Sequence, residues 1–228
     1  MASPLTQEEI LAIPHLQGIP KSELEILLRS IEVRSYSPRE TIIVEADASR
    51  GFFVLRKGRA RIFRSGSDGR EQILRLLSAG DTFGEVPVFD GGPHPATVEA
   101  LEAVEALFIS TSVFMEVISR NPSVALALLH HFARRLRSFT ELVEQISLQT
   151  VQNRIARYLY LTAREEGVQT EEGAIVRRSI TQQDLASLVG SVREVVSRTL
   201  KVMEDDGLVE VRREEYLVRD LDALRRLL

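Results

Sequence analysis

The spacing of apolar residues divides the chain into segments of different period. Residues 5–30 read as short helices, with Thr6 or Ser22 followed by acidic residues as caps. From Ile31 the texture changes. "TIIVEAD", "GFFVLRKG", "RARIFRSGSDGREQILRLL" and "ATVEALEAVEALFIS" are short runs rich in β-branched and aromatic residues, punctuated by Gly, Asp and Ser. Many short strands with turn signals between them predict an antiparallel sandwich or barrel, placed at about Glu32–Ile109. "GSDGR" at Gly66–Arg70 predicts a hairpin turn, because Asp-Gly tolerates positive φ.

After Ser110 the period becomes helical. Asn121-Pro122 opens a long helix, with proline in its first turn. Within it Leu129, Phe132, Leu136, Phe139, Val143 and Ile146 recur at steps of three and four, an a/d seam flanked by Arg134, Arg135, Arg137 and Glu141. Such a seam makes either a dimeric coiled coil or one amphipathic helix lying on its own domain. A further amphipathic helix is expected over about Val151–Glu166. The acidic "EEGVQTEEG" then reads as a solvated turn or as a contact for a protein partner.

The C-terminal "SITQQDLASLVGSVREVVSRTLKVMEDDGLVEV" predicts two short helices joined by a tight turn. Thr181 caps the first and Asp184 completes a capping box. Leu185, Leu188 and Val189 form its apolar face, and Gly190 ends it. Ser191 is the expected cap of the second helix. Val192, Val195, Val196, Thr199, Leu200 and Met203 form its expected buried stripe, and Gly207 ends it. "LVEVRREEYLVRD" alternates as a two-stranded wing around Arg213-Glu214-Glu215.

A second helix presented in this way can enter a major groove of double-stranded DNA with its N-terminal residues at base edges. Arg193 and Glu194 lie in its first turn, and Ser197 and Arg198 one turn later on the same face. Arginine donates two hydrogen bonds to guanine, and glutamate accepts from cytosine. A solvated Arg–Glu face is the bland alternative. Local charge favours DNA: Ala174–Lys201 holds Arg177, Arg178, Arg193, Arg198 and Lys201 against Asp184 and Glu194.

Composition narrows the rest. The formal net charge of -4 argues against a nucleic-acid binder globally, so the DNA reading rests on that local patch. There is no cysteine, which excludes disulfides, thiolate metal sites and cysteine-ligated iron–sulfur clusters and fits a reducing cytoplasm. The N-terminus lacks the pattern of a signal peptide, and no apolar run is long enough to span a bilayer. Of the four histidines, His15, His94, His130 and His131, the adjacent pair faces different sides of a helix and makes a poor metal site, so no metal is expected. Haem on a lone histidine stays open, and surface or packing roles are the default. No nucleophile motif, phosphate-binding glycine loop or H-E-x-x-H is present, so no enzymatic activity is expected.

In the order of its parts the whole chain resembles the cyclic-AMP receptor protein and FNR (CRP/FNR) family of bacterial transcription regulators. The carriers are "FVLRKGRARIFR" and "GDTFGEVPVF", then "FARRL", then "ITQQDLASLVGSVREVVSRTLKVMEDDGLV". The resemblance implies an α+β fold: an N-terminal antiparallel β-roll, a cyclic-nucleotide-binding-like jelly roll, over 1–110; a short helix and a long dimerisation helix over 111–149; and a winged helix-turn-helix over 150–228. It implies a homodimer, an effector or redox sensor in the β-roll, and RNA polymerase as partner. Arg193, Glu194, Ser197 and Arg198 superimpose the recognition patterns of both branches of the family. Thr181 and Gln182 stand where the family contacts phosphates, and Lys201 is a further phosphate candidate. Gly84 and Glu85 match the start of the nucleotide cassette, but His94 and Pro95 replace its Arg-Ser/Ala pair, followed by Ala96 and Thr97. The long helix carries Phe139-Thr140 in place of a base-contacting Thr-Ser. A neutral imidazole suits a phosphodiester poorly and proline removes a donor. Cyclic AMP is therefore not the expected effector, nor is an iron–sulfur cluster, and the effector stays unidentified. One rival class is an enzyme on a cupin-like β-roll, which would need several His/Glu ligands on the strands where only His94 lies; a second is a ligand-binding module that regulates a protein partner without touching DNA.

Overall fold

The computed structural model describes residues 6–11, 13, 16 and 19–228, so His15 lies outside the described residues. The chain forms two compact units. The first holds the described residues up to Arg64 together with Leu74–Phe139, and the second holds Ser65–Ile73 with Thr140–Leu228. Among the described residues no helix is long and apolar enough to cross a membrane.

The first unit opens with α1 (Gln7–Leu11) and α2 (Lys21–Ser30). Thr6 and Glu9 bond reciprocally at the start of α1, as a capping box does. The N-cap of α2 is Pro20, with no side-chain cap bond, so the helix begins before Ser22. Eight strands follow: β1 (Glu32–Tyr36), β2 (Thr41–Ile43), β3 (Gly51–Lys57), β4 (Ala60–Ser65), β5 (Glu71–Leu77), β6 (Thr82–Phe83), β7 (Thr97–Ala100) and β8 (Val104–Ser110). They make two four-stranded sheets, ordered β1-β8-β3-β6 and β2-β7-β4-β5. The β4–β5 turn, which counts with the second unit, closes as expected, with Gly69 at φ +79° and the Gly66 amide donating to the Arg70 carbonyl.

Strand β3 shows why its sequence is an unbroken apolar run. Phe53 and Leu55 point into the roll against Phe83, Ala106 and Phe108. Phe52 and Val54 point the other way, against Leu24, Leu27, Phe114 and Leu128 of the covering helices. A strand buried on both faces cannot alternate with polar residues. The covering helices are α2, α4 (Thr111–Arg120) and the first turns of α5 (Pro122–Leu148). The short α3 (Val86–Asp90), which the sequence reading did not separate from the strands, interrupts the roll between β6 and β7.

The second unit contains α6 (Val151–Glu165), β9 (Val168–Thr170), β10 (Gly173–Arg177), α7 (Gln182–Leu188), α8 (Arg193–Asp205), β11 (Val209–Val211), β12 (Glu215–Val218) and α9 (Leu221–Arg226). Its sheet runs β11-β12-β10-β9. The acidic "EEGVQTEEG" is therefore not a bare loop. Val168–Thr170 pairs with β10, an edge strand exposed along its whole length, so it carries no apolar alternation to announce itself. Arg154 of α6 donates to the carbonyls of Gln145, Ile146 and Gln149, which satisfies acceptors that the end of α5 leaves open.

Candidate nucleic-acid interface and effector cavity

The second unit presents α8 through a strictly built turn. The Thr181 hydroxyl accepts from the Asp184 amide at 3.1 Å, and the Asp184 carboxylate accepts from the Thr181 amide at 3.1 Å. That capping box fixes the start of α7. At its end Gly190 takes φ +61°, and the Ser191 amide returns to the Ala186 carbonyl at 2.9 Å. This six-to-one closure is the Schellman motif, and glycine adopts its left-handed residue at least cost.

The closure also moves the start of α8. The N-cap is Val192, not Ser191, and no side chain caps it. Ser191 is occupied in ending α7, while the Val192 carbonyl receives the amides of Val195 and Val196. Val192 is consequently 40% exposed and does not belong to the buried stripe. Val196, Leu200 and Met203 are its fully buried members, and Val195 and Thr199 are half-buried.

On the opposite face Arg193, Glu194, Ser197 and Arg198 are all exposed. Among the described residues neither Arg193 nor Arg198 makes an ion pair, so both guanidiniums are uncommitted. Lys201 differs. Its ammonium lies 3.2 Å from Glu204 and 3.1 Å from Asp205, and bonds to Asp205 and then Glu204 raise its pKa. The Thr181 hydroxyl is engaged with Asp184, and Gln182 is half-buried at the first turn of α7.

The wing is braced by charge. Arg212 reaches Glu210 at 2.9 Å, Glu215 at 3.1 Å and Glu172 at 3.5 Å. Arg178 donates to the carbonyls of Arg212 and Arg213, both at 3.1 Å, which ties the wing turn to the end of β10. Arg213 at the turn is exposed.

The first unit holds a cavity of 450 Å³. Ile62, Leu74, Val98, Phe132, Leu136 and Phe139 give it apolar walls, and Gly84, Glu85, His94, Pro95 and Ala96 also line it. Gly84 sits at φ +79°, and a Cβ there would come within 2.7 Å of Ile43, so glycine keeps this wall open. Thr97 faces elsewhere, its hydroxyl accepting from the Glu45 amide at 3.1 Å. Thr140 is exposed and belongs to the second unit.

Glu85 is buried. Its carboxylate lies 3.0 Å from Arg135 and 3.7 Å from His131, both on α5. Burial alone would raise this carboxyl; the imidazole of His131 and the guanidinium of Arg135 outweigh it and hold the group below the usual range. Arg135 also donates to the Thr82 carbonyl at 2.5 Å and to Nε2 of His131 at 3.2 Å. Sequence reasoning placed Arg135 only as a flank of the seam and left His131 to the surface. Their spacing of four on one helix, which puts them on one face, was the available signal. His94 is 7% exposed, and its amide and carbonyl bond to Asp47 and Ala46. Burial pushes its imidazole below the ordinary histidine value, against the charge of Asp47.

Residues 33–121 match the family model of the cyclic nucleotide-binding domain, and residues 153–227 that of the Crp-like helix-turn-helix domain. A CRP-like cAMP-activated global transcriptional regulator of Mycobacterium tuberculosis is 28% identical over 221 residues, covering 96% of this chain and 98% of its own. The cAMP-activated global transcriptional regulator CRP of Salmonella typhimurium is 30% identical over 204 residues, covering 88% and 97%. Among solved structures, the c-di-GMP responsive global regulator CLP of Xanthomonas campestris has the same fold, with a TM-score of 0.77 at 23% identity over 88% of this chain and 100% of that one.

Proposed function

The chain belongs to the CRP/FNR family of transcription regulators, with a helix-turn-helix DNA-binding domain, and from that premise we propose that it acts as a cytoplasmic homodimer on an inverted-repeat operator. The observation that carries this reading is the exposed face of α8, where Arg193 and Arg198 stand without ion-pair partners. Two arginines free of carboxylates are ready to pair with guanine edges, and Glu194 between them accepts from a cytosine amino group. Ser197 adds a short donor. Thr181 and Gln182 at the start of α7 meet the backbone. Lys201 joins them only by leaving Glu204 and Asp205, an exchange between exposed partners that costs little.

The seam supports the dimer. Leu129 and Val143 are 64% and 65% exposed, and Leu136, Phe139 and Ile146 are exposed with them, while Phe132 is half-buried. An apolar stripe at heptad spacing left open to water is the surface that a second copy covers. A two-fold dimer with one α8 per subunit needs a pseudo-palindrome with half-sites roughly 34 Å apart. Its half-sites read like TGTGA or a TTG-containing variant, and RNA polymerase is the protein partner. The β-roll cavity receives the effector. The relatives named above are cAMP-activated or c-di-GMP responsive by their own names, so effector chemistry varies on this fold. Here the cavity carries His94-Pro95 and Phe139, and cyclic AMP is not its effector.

Selection of binding sites from random DNA, with the wild type and with Arg198→Ala, tests the reading. The wild type selects an inverted repeat; the variant loses about 1–3 kcal/mol of discrimination at one G·C pair in each half. Identical motifs from the two proteins would remove Arg198 from base reading. No selected motif at all would favour a module that acts on a protein partner.

A further inference from the structure

The cavity and the state of its polar groups together describe a ligand. Within the cavity Arg135 is committed to Glu85 at 3.0 Å, while Arg64 pairs with Glu45 at 2.6 Å at the exposed rim. An anion deep in the cavity would have to displace Glu85 or lie without a buried counter-charge. The remaining walls are overwhelmingly apolar, with the rings of Phe132 and Phe139 among them. His94 is the exception. The residue is largely buried, yet its ring nitrogens are not sealed from solvent; it lines the cavity and makes no hydrogen bond through its ring among the described residues. A neutral imidazole keeps one donor and one acceptor, and a hydroxyl entering the cavity can take up that free hydrogen-bonding capacity.

We propose that this cavity binds an uncharged, ring-bearing, mainly apolar small molecule whose single hydroxyl hydrogen-bonds to the imidazole of His94. This names the chemical class of the effector for the site assigned above, and its role in regulation rests on that assignment. The depressed pKa of His94 keeps the ring neutral near pH 7, so it offers one acceptor and one donor and no charge. A volume of 450 Å³ suits a compact ligand of this kind. A phosphodiester finds no free buried counter-charge in such a site, which is the physical reason that a cyclic nucleotide is disfavoured.

Titration calorimetry on the full chain tests the proposal with 2-naphthol, 2-naphthalenesulfonate and cyclic AMP. The expected result is saturable binding of 2-naphthol, with the two anions at least about tenfold weaker, or about 1.4 kcal/mol. His94→Phe should weaken 2-naphthol by about tenfold, and His94→Gln, which still hydrogen-bonds, should hold it within about threefold of wild type. The chain has no tryptophan, so Val86→Trp places a single reporter at the partly exposed rim. Its emission should change on adding 2-naphthol, which locates the ligand even if His94→Phe fails to fold. The proposal is overturned by anions that bind as well as 2-naphthol, by no 2-naphthol binding at about 1 mM, a free energy near −4.1 kcal/mol, or by a silent Trp reporter. Equal affinity in a folded His94→Phe also overturns it. A Soret band on adding haemin that vanishes in His94→Phe would make His94 an iron ligand instead. Operator binding is measured separately by gel shift. Lost ligand binding with intact DNA binding sinks this inference alone, and the reverse sinks the regulator mechanism alone.

Discussion

Glu85 is a carboxylate that its surroundings hold ionised although it is buried. Because its folded pKa lies below the ordinary 4.5, its contribution to stability is complete above that value and fades as pH falls through the folded pKa. Glu85→Gln leaves Arg135 without its counter-charge at 3.0 Å. At pH 7 the substitution should cost about 3 kcal/mol, the scale for breaking one side of a buried pair. Below pH 4.5 the wild type begins to lose the same charge, so the gap between the two proteins should narrow. Urea midpoints measured across pH 7 to about pH 3 check this. A gap that stays constant over the range would mean that Glu85 acts through packing alone. Nothing near Glu85 in sequence announces this role. The arginine that matters stands fifty residues away, and only the folded chain brings it close.

At the scale of elements, α5 and α8 were legible because each carries a helical stripe. On α8 the stripe and the caps came from residues within one or two turns, and Thr181, Asp184 and Gly190 behave as read. The error of one residue at its start arose where two elements share a backbone group: Ser191 closes α7, so Val192 opens α8. On α5 the stripe stands open along much of its length, and the seam gives a clean prediction. Leu129→Glu with Val143→Glu alters two exposed positions that do not line the cavity. Each chain should keep its fold by circular dichroism and sediment as a monomer, since charges at a and d positions are desolvated in the pair. A double variant that still sediments as a dimer would place the interface elsewhere.

At the scale of the whole molecule, net charge and function pull apart. The chain is acidic overall at -4, yet the face proposed to meet DNA carries two uncommitted arginines. Much of the remaining charge near it is internally compensated, as in the Arg212 cluster and at Lys201. Affinity should therefore depend on docking two copies of α8 at once. Inserting about five base pairs between the half-sites, near half a helical turn, turns one half-site to the opposite side of the duplex. Binding by gel shift should fall to the non-specific level, and about ten inserted base pairs should restore it only if the dimer can stretch. Full affinity after the five-base-pair insertion would mean that single subunits read the site independently.

The sequence by itself determined most element types, the turn grammar around α7 and the exposed face of α8, since period, caps and glycine turns act between residues a few positions apart; it missed α3 and β9. It also marked His94, Pro95 and Phe139, the departures from the nucleotide cassette on which the proposed effector chemistry rests. Only the tertiary structure decided which polar groups are spoken for. Glu85 with Arg135, Arg64 with Glu45 and Arg178 with the wing are partners chosen by the path of the chain. The placing of His94 in the cavity wall is of the same kind. A side chain's charge is written in the sequence; whether that charge is free to meet a ligand depends on who else the fold has placed within about 3 Å, the reach of a hydrogen bond.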